Sequence, residues 1–221
     1  NAAATGSVAE TDAELRLRQA QSVSLTALTT FDALDGAISN IAGVVGHKLY
    51  QNDSDDKDAN GLPGHTISAV VQGGDANTIA DVIRKKKSLG VGTFGNTTIT
   101  LADSYGTPQA IRFSRPVPVP VYLSLELKAL TGYTSPIAEK IKKALAAYIN
   151  SLGIGNSVLL SRLYSPANLT TGQDSTDSQY YDILSLLAGK SEAALSSGNI
   201  AIGYNEFARC EVDNITLSVT S

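Results

Sequence analysis

The sequence has no tryptophan, no methionine and a single cysteine in 221 residues, and only 6% of it is aromatic. Each shortage excludes something. One cysteine, Cys210, leaves no intrachain disulfide and no paired-cysteine metal motif. It lies where apolar residues alternate, so it reads as a small buried residue rather than a nucleophile. Few aromatics leave little for a stacking platform that would hold sugars or single strands. No run of about 18 apolar residues offers a membrane-spanning helix, and no signal peptide is recognisable. GxSxG, HExxH and the phosphate-binding P-loop are all missing. Methionine is missing even at position 1. The opening Asn1-Ala2-Ala3-Ala4 reads as an expression scar ahead of Thr5, so the chain is expected to be a piece of a longer protein.

Charge of neither sign dominates. There are 17 Lys+Arg against 21 Asp+Glu, a net charge of -4, and the pI is about 5.1. Nucleic acid is therefore not expected as a partner, because phosphate binding needs a clustered positive surface. The basic run at 84–87 is the best counter-evidence. It reads as a solvated helix end, where cations suit the macrodipole.

The chain does have enough apolar residues for a core. At 43% hydrophobic, it can build one large domain or two small ones. Residues 66–71 read as a strand ended by Gly73-Gly74. Asp75 then sits where an N-cap belongs, before a helix with Ile79, Val82 and Ile83 on one face and an Asp81–Lys85 pair on another. Gly90 and Gly92 are expected to end that helix, and Gly95-Asn96 to make the next turn. Upstream, residues 10–18 read as a short helix capped by Thr11 and Glu14. A longer helix should open at Ser22 or Ser24, with Leu28, Phe31, Leu34, Ile38 and Ile41 at helical spacing. A strand is expected at 44–52 and a polar loop at 52–64.

Downstream, strands at 97–101 and 110–113 flank a hairpin corner. Pro116, Pro118 and Pro120 then remove three backbone donors, so this segment is a connector, a hinge or an edge, and a domain boundary falls near Pro116. The period-two run from Val117 to Leu127 is the cleanest strand signal, with one apolar face and one wet face from Tyr122 onward. Ser135 is expected to cap a helix carrying Pro136 in its first turn, with Ile137, Ile141, Leu145, Tyr148 and Leu152 inward. Asn156 or Ser157 should open another helix through Leu163, ahead of a polar loop at 166–176. Strands are expected at 179–187 and 207–219. Residues 192–195 read as a helical turn or as part of a hairpin loop. The class is α+β: two subdomains, each with helices packed on a small, mainly antiparallel sheet. The divisions are 1–23 (scar and leading helix), 24–116 and 117–221.

Three local patterns invite a chemical reading. Residues 90–95 match GxGxxG, but a helix precedes them and a strand comes after, the inverse of a dinucleotide site, so a tight turn is the better reading. Asp56, Asp58, Asn60 and Gly61 match the first half of an EF-hand loop. The twelfth position is Ile67 where a bidentate Glu belongs, which leaves a weak calcium candidate or a solvated turn. His47 and His65, the only histidines, should flank that loop on opposing strands and could join Asp53 or Asp58 in a metal or proton-transfer site.

The ordered runs GLPGHTISAVVQGGD (61–75), RKKKSLGVGTFGN (84–96) and GTPQAIRFSRPVPVPV (106–121) resemble the signature of the phage baseplate J-like family. The resemblance centres on residues 50–125 and extends to ETDAELRLR upstream and to the downstream helix. It implies a structural wedge protein of a contractile tail, assembled with copies of itself and other wedge proteins. It also implies a place in the virion's tail baseplate after synthesis in the bacterial cytoplasm, with no catalytic residues and no cofactor. Interface candidates are Pro116, Pro118, Pro120 and Val121, the loop at 53–60 and the leading helix from Glu10. The alternative is a calcium-assisted cell-surface or tail-associated binding module. An enzyme would need a pocket joining His47 or His65 to a carboxylate and a hydroxyl.

Overall fold

The chain folds as α+β in two units, 1–114 and 115–221, in a computed structural model that describes residues 29–170 and 176–220. The expected leading helix at 10–18, with Thr11 and Glu14, lies outside the described residues, as do Ser22, Ser24 and Leu28. Among the described residues no helix is long and apolar enough to cross a membrane.

In the first unit, helix α1 (Thr30–Ser39) starts at Thr30 rather than at Ser22 or Ser24. Thr29 is extended and its hydroxyl accepts the Asp32 N–H at 3.1 Å. A capping hydroxyl one residue before the first turn sets the start, and the apolar spacing alone does not reveal it. Leu34 and Ile38 are buried. Strand β1 (Val44–Asn52) pairs antiparallel with β2 (Thr66–Gly73), with a bulge between Val44 and Gly46. Ala69, Val70 and Val71 bury the middle of β2.

The Gly73-Gly74-Asp75 run works as the sequence suggests. Gly73 has φ +76°, and a Cβ there would lie 2.2 Å from the Gly43 carbonyl oxygen, so only glycine fits. Asp75 caps α2 (Ala76–Lys86), accepting the Thr78 N–H at 2.8 Å. Ile79, Ala80 and Ile83 face inward. The short β3 (Gly92–Thr93) lies parallel to the start of β2. Strands β4 (Thr97–Ala102) and β5 (Pro108–Phe113) form the hairpin. Gly95 runs so close to β5 that a Cβ would meet the Phe113 carbonyl group at 2.2 Å. Leu34, Ile38, Ile79, Ile83, Ile111 and Phe113 make the core.

In the second unit, β6 (Val117–Pro120) pairs parallel with β9 (Glu206–Arg209). The long strand β7 (Tyr122–Ala129) is central to a mixed sheet. It runs antiparallel to β8 (Tyr181–Gly189) and parallel to β10 (Ile215–Thr220). Leu123, Leu125 and Leu127 are at most 1% exposed. They meet Ile141, Leu145 and Ile149 of α3 (Ser135–Ser151). The residue before α3 is Thr134, with no side-chain capping bond; Ser135 is the first helical residue, not the cap. Pro136 stands in the first turn, where its missing N–H has no partner to lose.

Helix α4 (Leu160–Ala167) begins at Leu160, not at Asn156 or Ser157, and runs through Pro166. Before it, Ile200 exchanges backbone bonds with Val158, and the Leu160 N–H goes to the Asn199 side chain. These long-range bonds hold Val158 and Leu159 extended, ahead of the helix. A 3₁₀ turn, Asp177–Tyr180, leads into β8, and others occur at Glu192–Ala194 and Val212–Asn214.

Candidate functional site: the acidic loop and the sheet edges

The acidic loop closes on itself. Asn52 is 6% exposed at its base and forms the hub. Its Nδ2 donates to the carbonyls of Asp56 (2.7 Å) and Leu62 (2.8 Å). Its Oδ1 accepts the Ser54 N–H (3.1 Å) and hydroxyl (2.6 Å). Leu62, fully buried, plugs the loop from within. Asp58 Oδ1 accepts the N–H groups of Asn60 (2.9 Å) and Leu62 (2.8 Å), an Asx-type turn. The calcium candidates Asp56, Asp58 and Asn60 are therefore turn-formers here. Among the described residues no group of three or more His, Cys, Asp or Glu side chains could hold a metal.

The histidines are not brought together. His47 lies opposite Val71, and His65 just precedes the Asn52–Thr66 end of the same pair of strands. His47 Nε2 is 3.0 Å from Asp35, and His65 Nε2 is 2.8 Å from Asp55. The partners are thus Asp35 and Asp55, not Asp53 or Asp58; Asp53 accepts from Gln51 instead. Asp35 comes from α1, which packs against β1, a neighbour that local spacing cannot reveal. His65 has φ 53°, left-handed for a non-glycine residue.

His65 lines a pocket of about 270 Å³ with Phe31, Leu34, Ile67 and Lys86. The hydroxyls there bond to each other or to backbone rather than to the imidazole: Thr30 with Ser88 at 2.9 Å, and Thr66 to the Pro63 carbonyl at 2.6 Å, while His65 Nε2 is at Asp55. The imidazole therefore does not sit on a nucleophile, the arrangement that acyl or proton transfer would need. Cys210 is 1% exposed, and burial pushes its thiol up to about 11, so it stays protonated at neutral pH. Helix α2 ends at Lys86 with Lys87 as its C-cap, so Gly90 and Gly92 do not end the helix; the GxGxxG segment comes after it, turns at Gly90 (φ +79°) and enters β3.

The proline segment is a paired strand rather than a free connector or hinge. The Val117 N–H donates to Asn205 and the Val121 N–H to Arg209. Alternate residues of a strand point their backbone groups to opposite sides, so Pro118 and Pro120 put their missing donors on the side away from β9. An added strand there would find acceptors only, which blunts the edge against pairing. Pro118 and Pro120 are exposed and Pro116 is half-buried. Val121 is fully buried in the core, because the period-two pattern points it inward, so it is no interface residue, contrary to expectation.

The other sheet margins differ. β1 carries a bulge and Lys48. β8 carries a bulge at Leu184, and Ala188 exchanges bonds with Ser196. β10 (ITLSVT) has no proline, no charge and no bulge. Compared with models of known families the chain matches none, and no curated protein matches it. Fold and edges thus define a class: a two-unit α+β protein whose acidic loop is closed by its own hydrogen bonds.

Proposed function

We propose that this chain is a structural component of a phage or prophage contractile-tail baseplate, a wedge assembly protein that acts through shape and contacts rather than catalysis. The observation that carries the reading is the ordered set of features across residues 50–125 in which the chain resembles the baseplate J-like family. Support comes from what those residues do. Asp58 and Asn60 turn the acidic loop. Gly73-Gly74-Asp75 makes a turn and caps a helix. Gly95 lets the chain lie against Phe113. The resembling residues thus shape backbone, as suits a protein whose work is its form. Its partners are copies of itself and other wedge proteins, and its place is the baseplate of the virion, after synthesis in the bacterial host cytoplasm.

Deleting the coding gene tests this by electron microscopy of induced particles. Loss of assembled contractile tails is expected. Intact tails with baseplates would overturn the reading.

A further inference from the structure

Strand β10 (Ile215–Thr220) forms one margin of the β10-β7-β8 sheet, and no further strand pairs with it among the described residues. Half of its backbone N–H and C=O groups therefore point away from β7. Thr216, Ser218, Val219 and Thr220 are exposed, Val219 to 43%. Natural edge strands are protected by charge, proline, bulges or cover. β6 has its prolines, β9 has Glu206 and Arg209, β8 has its bulge and Ser196, and β1 has its bulge and Lys48. Strand β3 is only two residues long, and β4 and β10 lack all of these protections; β10 also borders a groove.

That groove measures about 830 Å³ and runs between β10 and the first half of α3. Leu217 and Val219 of β10 line it, with Tyr133 and Pro136 opposite. The Tyr133 hydroxyl is buried and has no hydrogen-bond partner among the described residues. The groove thus lies beside Leu217 and Val219 at the margin of the sheet. Its wall carries Lys140, Lys142 and Lys143 against Glu139. Lys140 pairs with Asp177 at 2.8 Å and Lys142 lies 3.7 Å from Glu139. Lys143 makes no ion pair among the described residues, so the excess charge is cationic.

We propose that β10 is a strand-docking edge. Its partner is an extended segment of another protein in which apolar residues alternate with Asp or Glu. Backbone bonds to β10 supply the attachment, the apolar residues enter the groove, and the acidic ones suit the lysine wall. A second copy of this chain suits the site less, because symmetric pairing of β10 with β10 would bring the same cationic excess to both sides. The proposal stands on the geometry of the second unit and is independent of the baseplate reading.

The test uses the full chain and two end-blocked, dye-labelled octapeptides, (Val-Glu)4 and (Val-Lys)4, measured by anisotropy and by amide hydrogen exchange. The glutamate peptide is expected to bind and to slow exchange across residues 215–220, while the lysine peptide binds at least tenfold more weakly. Methylating the backbone nitrogens of either the valines or the glutamates removes one bonding edge of the peptide. One pattern should abolish binding and the other keep it. Lys143→Glu, at an exposed site, should weaken binding about threefold to fivefold, the scale of one rim charge. Ser218→Pro and Val219→Glu should remove binding. Equal binding of both peptides, no binding at millimolar peptide, or protection confined to other strands overturns the proposal. So does a peptide-free dimer in which residues 215–220 are already protected.

Discussion

Replacing Asn52 with aspartate separates a loop that folds by its own hydrogen bonds from one built to hold an ion. The change adds a carboxylate to an already acidic loop, yet it removes the two donor bonds that Asn52 makes to Asp56 and Leu62. The Leu62 carbonyl bond is buried, so losing it leaves an unsatisfied acceptor, at about 1–3 kcal/mol. The Asp56 carbonyl is nearer solvent and regains water, so that bond costs about 0.5–1 kcal/mol. The sum is about 3 kcal/mol at neutral pH. For a chain of this size each kcal/mol moves Tm by about 2–4 °C, so calorimetry should show a fall of about 6–12 °C.

The pH dependence has a definite sign. Facing two carbonyl oxygens, the new carboxyl is held above its usual value of about 3.9 in the folded state. Its neutral form can donate one of the lost bonds. The deficit is therefore smallest below about pH 4 and grows as pH rises through the folded value. Asn52→Leu lacks this recovery. A Tm within about 1 °C of the parent at pH 7, or a deficit that widens on acidification, would refute the hub.

The same geometry sets other outcomes. Excess calcium against chelator should shift Tm by less than about 1 °C, since RT ln(1+[L]/Kd) is negligible without a formed site; a rise of several degrees would restore the ion-binding reading. Asp75→Ala should cost about 1 kcal/mol in chemical denaturation, and Asp75→Asn much less, because asparagine still caps. Cys210 should resist thiol reagents at pH 7.5 in the folded chain and react fully in denaturant. Burial raises its folded value above the unfolded one, so the stability it contributes is complete below about pH 8.5 and is lost as pH rises through about 11. Gly95→Ala should prevent folding or sharply lower Tm, because the Phe113 backbone must move aside.

Local chemistry is legible in the sequence where it determines the structure locally. Asp75 caps α2 because a carboxylate beside four orphan amides has no better partner. β7 is plain from Leu123, Leu125 and Leu127 alternating with Ser124 and Glu126. Helix starts are less legible where several hydroxyls compete: Thr29 takes the role expected of Ser22 or Ser24, and Thr134 stands before the helix expected to start from a Ser135 cap. The helix after Gly155 starts only at Leu160 because Ile200 and Asn199, some forty positions on, claim the backbone of Val158 and Leu160. The parallel pairings of β6 with β9 and β10 with β7 join segments about 90 residues apart and leave no periodic trace. The β10 edge escapes a sequence reading for the opposite reason. Its signal lies in what ITLSVT lacks, while the prolines of β6 point to an edge they in fact close.

The most direct test of the structural-protein account is the composition of purified contractile-tail particles from the organism that encodes this chain. Quantitative mass spectrometry, with antibody labelling under the electron microscope, should find it at a copy number comparable to other tail proteins, with the label at the baseplate end. Intact, contraction-competent particles that lack the chain would contradict the account.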